Sequence, residues 1–267
     1  MIAPKDLFEL DGLSHRSLFQ GVDLVWDALD HIKEYTIRCV EEAGSLPEAL
    51  TRNGVVLADT VVIHEGVVHD SGFELLGGDP TKFTMKVRLG DKEVTDAAVV
   101  YQGATFMDNR VHLAPGCKVE PGALLKGPSF IGPGTEVRQG AYLRGGCLVG
   151  SSCVVGHTTE IKNSVMLDGA KAGHFAYLGD SILGREVNLG AGTKLANLKI
   201  LEKPYRITVG DELYVIKRRK FGAILGDKVE TGCNTVTNPG TVMGKRSMVS
   251  PCSSVKGGYH KPRTIIR

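Results

Sequence analysis

Counted in steps of six from Leu113, the chain places an aliphatic residue at Leu113, Val119, Leu125, Ile131, Val137, Leu143, Val149, Val155, Ile161 and Leu167. The position four residues after each is mostly small: Cys117, Ala123, Ser129, Thr135, Ala141, Cys147, Cys153 and Thr159. The beat returns at Leu183, Leu189 and Leu195, and again from Leu225 through Thr231, Thr237, Met243 and Val249 to Val255. A period of six matches neither an amphipathic helix, which repeats every ~3.6 residues, nor an alternating strand, which repeats every ~2. It predicts short strands joined by turns and stacked as a solenoid. Gly116, Gly122, Gly134 and Gly140 fall where corners are needed, and glycine reaches corner dihedrals without a Cβ clash. An ordinary β-sandwich would show longer strands and less regular spacing.

This pattern resembles the hexapeptide-repeat acyltransferases, whose left-handed parallel β-helix takes three hexapeptides per triangular coil. The resemblance implies an all-β fold, a left-handed parallel β-helix with a small N-terminal α/β region, and an exception to the right-handed crossover rule. An eighteen-residue coil stacks residues eighteen apart at about 4.8 Å. Lys126, Arg144 and Lys162 are so spaced, each directly after a core aliphatic, and are expected to form an outward basic column. Two unit charges about 5 Å apart repel by about 3 kcal/mol at an effective dielectric near 20, and a bound anion would relieve that cost. The column therefore reads as a phosphate site, against the plainer reading of a solvated basic face.

The segment from Val155 to Lys199 contains K-A-G-H-x-x-Y-L-G-D, Lys171 to Asp180, followed by N-x-G-A-G-T, Asn188 to Thr193. It resembles the acetyltransferase domain of the bifunctional glucosamine-1-phosphate acetyltransferase and N-acetylglucosamine-1-phosphate uridyltransferase, and the C-terminal domain of related sugar-1-phosphate nucleotidyltransferases. The resemblance implies His174 as general base, Arg144 and Lys162 as holders of a sugar phosphate, and Tyr177 and Asn188 as lining of the acceptor site. It places Ala191 and Asn197 by the acyl donor, and Leu198 stands where the uridyltransferase family has tyrosine. It further implies acetyl-CoA as co-substrate, no metal, and a homotrimer with the donor in a groove between neighbouring β-helices.

Those residue types suit the chemistry. Acetyl transfer from a thioester to an amine needs a base, and an imidazole titrates near pH ~6.5, where it accepts a proton readily. The oxyanion that develops needs donors, a backbone N–H or the amide of Asn197. No covalent enzyme intermediate is required. Two rivals of other classes remain. One is a non-catalytic scaffold or regulatory protein. The other is a γ-class carbonic anhydrase, which needs three histidine ligands, whereas His157 and His174 lie seventeen apart and His64 and His69 lie outside the repeat.

The N-terminal part is expected to form its own region, residues 1–100, ahead of the β-helix at 101–267. Val22, Val25, Trp26, Leu29 and Ile32 share one helical face, which predicts an amphipathic helix from about residue 20 to 43. Residues 53–105 read as short strands and loops, with the first coils near Tyr101. The glycine-rich G-T-R-M phosphate loop of the bifunctional relatives does not occur here, so nucleotidyl transfer is expected to be absent. Residues 199–220 interrupt the beat as an insertion of the kind that is usually functional or a hairpin. Its basic run, Lys217 to Lys220, is a candidate for a neighbouring subunit or for the phosphates of coenzyme A. A net charge of +2 gives no nucleic-acid signature. No apolar run approaches the ~20 residues that span a bilayer, and a cytoplasmic protein is expected. The six cysteines show no C-x-x-C, and three sit at the small inner position, which predicts buried thiols rather than disulfides or ligands.

Overall fold

The computed structural model describes residues 1–51 and 54–267. Arg52 and Asn53, at the start of the stretch expected to hold short strands, lie outside the described residues. The chain is an all-β, left-handed parallel β-helix of triangular section, preceded by a small region with one long helix and short antiparallel strands. Its long face is an 11-stranded sheet that opens with the antiparallel strands Val61–His64 and Val67–His69 and then runs in parallel from Ala98–Val100 to Ile265–Ile266. The two other faces have eight parallel strands each, from Thr105–Phe106 to Ser254–Val255 and from Val111–Leu113 to Gly258–His260.

The hexapeptide beat is the interior of the prism. Val119, Leu125, Ile131, Val137, Leu143, Val149, Val155 and Ile161 are fully buried in one continuous core. The small positions sit under the corners, where no large side chain fits, and their polar atoms bond backbone carbonyls, mostly of the next coil. Thr135 donates to the Gly150 carbonyl at 2.8 Å and Thr159 to that of Ala172 at 2.9 Å, so burial leaves these hydroxyls satisfied. Cys117, Cys147 and Cys153 occupy the same kind of site and are buried, and burial pushes their thiols up to about 12, 11 and 12.

The beat slips after Ile161. Val149 stands beside Met166 rather than Leu167, because the corner Arg144-Gly145-Gly146 is answered one coil later by Lys162-Asn163, one residue shorter. Asn163 makes that tighter corner in the left-handed region, φ 44°. Met166 takes the interior position, and Leu167 is buried instead in the cluster that includes the N-terminal segment. The next coils have seventeen residues, pairing Val155 with Ala172, Ile161 with Leu178 and Met166 with Leu183.

One eight-stranded face is covered by the start of the chain. The outward side chains Leu148, Val165, Ile182, Ile224 and Val242 pack in one cluster with Leu7, Phe8, Trp26, Leu29 and Ile32. The α-helix is Ala28–Ala43, shorter than the helix expected from about residue 20. Gly21 lies in the left-handed region at φ 74°, and the N–H of Val25 bonds the carbonyl of Ile2 rather than one four residues back. Val25 and Trp26 are buried as the sequence stripe requires, but in a short 3-10 turn, Val25–Asp27, that leads into the helix.

This cover buries an ionisable group. His15 is wedged between Tyr35 and Phe130, its rings edge-on to both at centroid distances of 5.9 and 5.1 Å, and its Nε2 has no hydrogen-bond partner. Burial holds its pKa down to about 4, only partly opposed by Asp168. A folded pKa below the unfolded value of ~6.5 means that the unfolded state binds more protons between those limits. Stability from this group is therefore present above pH ~6.5 and lost as pH falls toward 4. About 2 kcal/mol is expected to go between pH 7 and 5, read from urea unfolding, and His15→Leu is expected to remove that component of the pH dependence.

Candidate functional site

The basic column is built as the register requires, since Lys126 pairs with Arg144 and Leu143 with Ile161, the residues preceding Arg144 and Lys162. These strands lie on the uncovered eight-stranded face, with Tyr177–Gly179 and Lys194–Leu195 next in order. Electrostatically the column differs from the expectation. Arg144 Nη1 donates to Glu160 Oε1 at 2.6 Å, and Lys162 Nζ lies 3.4 Å from Asp180 Oδ2. Lys126 Nζ and the Arg144 guanidinium sit 5.5 and 5.9 Å from the centroid of Tyr142. The repulsion assigned in the sequence to a bound anion is thus relieved by the chain's own carboxylates.

Tyr177 and Asn197 join the same cluster. The Tyr177 hydroxyl donates to Asn197 Oδ1 at 3.5 Å, and Asn197 Nδ2 donates to Asp180 Oδ2 at 2.6 Å. Burial raises the Tyr177 pKa, reinforced by the negative charges of Glu160 and Asp180. The hydrogen bond to Glu160 raises that of Arg144. Glycine is required beneath this cluster: a Cβ on Gly179 would lie 2.5 Å from Asn197 Nδ2 and 2.7 Å from the Tyr177 hydroxyl.

His174 lies around the corner, at the end of Lys171–His174 on the long face, and is exposed. Phe175 makes the turn at φ 51°, and Tyr177 has already passed to the neighbouring face. His174 opens into a groove of about 670 Å³, with the loop Gly78–Lys82 as one wall and Lys118, Glu136, Arg138, Lys171, Asn188 and Ala191 among the residues of the other. The loop is seated, not dangling. Asp79 accepts from the N–H and hydroxyl of Thr81, and the ring of Phe83 and the carbonyl of Pro80 occupy the space a Cβ on Gly134 would need. In the groove Glu136 bridges Lys118 and Arg138 at 2.5 and 2.7 Å, whereas Lys171 has no ion-pair partner among the described residues. Asn188 is the ladder neighbour of Lys171, and the Ala191 carbonyl accepts from Asn234 on the next coil.

The expected site residues therefore fall into two groups about one corner: Arg144, Lys162, Tyr177 and Asn197 on one face, His174, Asn188 and Ala191 in the groove on the other. Glu160 and Asp180 were missed as site residues, although Asp180 ends the motif already singled out and Glu160 stands two before Lys162. Their meaning rests on reach across coils, which a linear pattern does not display. His157 and His174, read as distant because seventeen residues separate them, are ladder partners, since the coil there has seventeen residues. Among the described residues no group of three or more potential ligands surrounds them. In the basic run at 217–220, Arg218 is committed internally, donating to the Trp26 carbonyl at 2.7 Å and to Asp30.

Stacked hexapeptide coils with a cation-bearing face beside an open imidazole groove define a β-helical domain of the hexapeptide class. Residues 125–265 match the family model described as the GMPPB C-terminal domain, and the chain belongs to that family. A bifunctional sugar-1-phosphate nucleotidylyltransferase/acetyltransferase of Sulfurisphaera tokodaii is 39% identical over 97 residues, which are 36% of this chain and 24% of that protein. The bifunctional protein GlmU of Methanococcus aeolicus is 34% identical over 113 residues, 42% of this chain and 27% of the relative. GlmU of Stutzerimonas stutzeri is 32% identical over 175 residues, 60% and 38% respectively. The chain thus spans between 24% and 38% of the length of these relatives. The solved Arabidopsis UDP-N-acetylglucosamine acyltransferase aligns over 60% of this chain and 70% of that one at 16% identity and a TM-score of 0.25, a likeness too loose to carry structural inference. No helix among the described residues is long and apolar enough to cross a membrane.

Proposed function

We propose that this chain is an acetyl-CoA-dependent N-acetyltransferase acting on an amino-sugar phosphate, glucosamine 1-phosphate or a close relative, by direct transfer. The observation that carries the reading is the gathering of Arg144, Lys162, Tyr177 and Asn197 on one side of a single corner and His174 on the other. The sugar phosphate lies against Arg144 and Lys162, displacing Glu160 from the half-exposed Arg144. Exposed ion pairs are worth only about 0 to 1 kcal/mol, so a dianionic phosphate competes well for that guanidinium.

The amine then attacks the thioester carbonyl, forming the N–C bond while His174 takes the amine proton. A tetrahedral oxyanion results, for which an N–H of Asn197 is a suitable donor. The C–S bond breaks, and coenzyme A leaves as the thiolate, protonated by the imidazolium or by water. No metal takes part. The groove is open in one copy and one side face is already covered by the N-terminal segment. We therefore assign a homotrimer in which the open faces of neighbouring copies meet to enclose the donor. Nucleotidyl transfer is not assigned to this chain.

One observation favours a second reading, a non-catalytic scaffold: Arg144 and Lys162 are both neutralised internally. The two readings are separated by thiol release from acetyl-CoA with a panel of phosphorylated, nucleotide-linked and neutral amino sugars. Release is expected with a phosphorylated amino sugar and not with free glucosamine. No release with any member leaves the scaffold.

A further inference from the structure

Asp180, on the cationic face, touches several of the proposed site groups at once. It is 7% exposed and sits at a corner in the left-handed region, φ 48°. Its backbone is fixed on both sides, the N–H donating to the Lys162 carbonyl at 3.0 Å and the carbonyl accepting from Gly222 at 2.9 Å. Its Oδ1 accepts from Asn163 Nδ2 at 3.0 Å, and its Oδ2 accepts from Asn197 Nδ2 at 2.6 Å and from Lys162 Nζ at 3.4 Å.

The chemistry of this arrangement constrains Asn197. An ionised carboxylate accepts hydrogen bonds and donates none, so only the NH₂ end of the Asn197 amide can face it. Turning that amide over would set its carbonyl against the carboxylate and aim its NH₂ at the Tyr177 hydroxyl. Asp180 thereby selects one amide orientation, in which Asn197 Oδ1 receives the Tyr177 hydroxyl and one N–H of Nδ2 is left for a ligand. The same carboxylate tethers the Lys162 ammonium, whose long side chain would otherwise sample many rotamers.

We propose that Asp180 is a positioning residue, resting on the functional reading above: it orients the Asn197 amide toward the acyl carbonyl and holds Lys162 for the sugar phosphate, without touching substrate. Two arms test this on the full chain. In the first, acetyl transfer is compared in the wild type, Asp180→Ala, Asn197→Ala and the double variant, with Asp180→Asn as the isosteric form. Asp180→Ala is expected to lower kcat about 30-fold and to raise KM for the sugar phosphate, and the double variant to lie within about threefold of Asn197→Ala, because groups acting through one another are non-additive. Asp180→Asn retains an acceptor for Asn197 but no charge for Lys162, so its defect is expected mainly in KM. Losses that multiply in the double variant, or an unchanged KM in both Asp180 variants, overturn the proposal.

The second arm does not depend on turnover or on any variant's folding. In asparagine-selective ¹⁵N spectra of the wild type, one side-chain N–H of Asn197 is expected well downfield of a free amide and slow to exchange, as a hydrogen bond to a carboxylate requires. A free-amide signal overturns the proposal. A downfield signal in a chain that transfers no acetyl group to any sugar places the failure in the functional reading and not in the Asp180 network.

Discussion

Replacing His174 by alanine is expected to lower kcat for acetyl transfer about 10²- to 10⁴-fold while leaving the thermal midpoint within a degree or two of the wild type. The range is that of losing one positioned general base. The fold is expected to survive because the imidazole is exposed and none of the hydrogen bonds among the described residues depends on it. Only the backbone of His174 is structural, its carbonyl accepting from Gly192 at 2.9 Å, and alanine keeps that bond. KM for the sugar phosphate is expected to change little, since the proposed phosphate holders, Arg144 and Lys162, lie on the other face. A variant that retains wild-type kcat removes His174 from the chemistry. One that unfolds instead shows that the residue belongs to the scaffold.

The largest effect on stability is expected from Trp26→Ala, about 3 to 5 kcal/mol, the usual cost of emptying a buried aromatic site. Trp26 is 2% exposed and joins three separate parts of the chain. It packs in the N-terminal cluster over the covered face, its ring lies 5.3 Å from that of Tyr214 in the hairpin Tyr205–Val209 and Glu212–Ile216, and its carbonyl holds Arg218 at the end of that hairpin. The hairpin returns the chain beside the site, where Leu198 bridges Lys220 and the N–H of Phe221 bonds the carbonyl of Asn197 at 2.9 Å. Loss of the indole is therefore expected to lower the urea midpoint, followed by circular dichroism, and to expose residues 199–220 to proteolysis before the coils unfold. A change below about 1 kcal/mol would mean that the N-terminal cover is held elsewhere.

Much of the architecture was readable because a β-helix is written in short-range arithmetic. Each coil stacks on the next, so one aliphatic at every sixth place is sufficient to fill the prism, and the small residues mark its corners. The reading failed first at Leu167, where a corner shortened by one residue moved Met166 inward. A one-residue deletion at a turn leaves both registers equally apolar in a Val-Met-Leu run, and only the pairing of Val149 with Met166 separates them. It failed again at the helix start, because Gly21 and the bond from Val25 to Ile2 redirect a stripe whose spacing alone fits a longer helix.

The candidate site divides in the same way. His174, Arg144, Lys162, Tyr177, Asn188, Ala191 and Asn197 were accessible as a motif, whereas the state of the cations was not. Glu160 and Asp180 neutralise Arg144 and Lys162 from neighbouring coils, and the loop Gly78–Lys82 reaches the His174 groove from a region outside the repeat. The period of the sequence by itself determined the β-helix and the order of residues along each face, because stacking couples positions one coil apart. Tertiary structure alone decided which face the N-terminal segment covers, which carboxylate meets which cation, and that His174 stands around a corner from its expected partners. Those outcomes depend on side-chain reach and on long-range docking, and neither leaves a periodic trace in the chain.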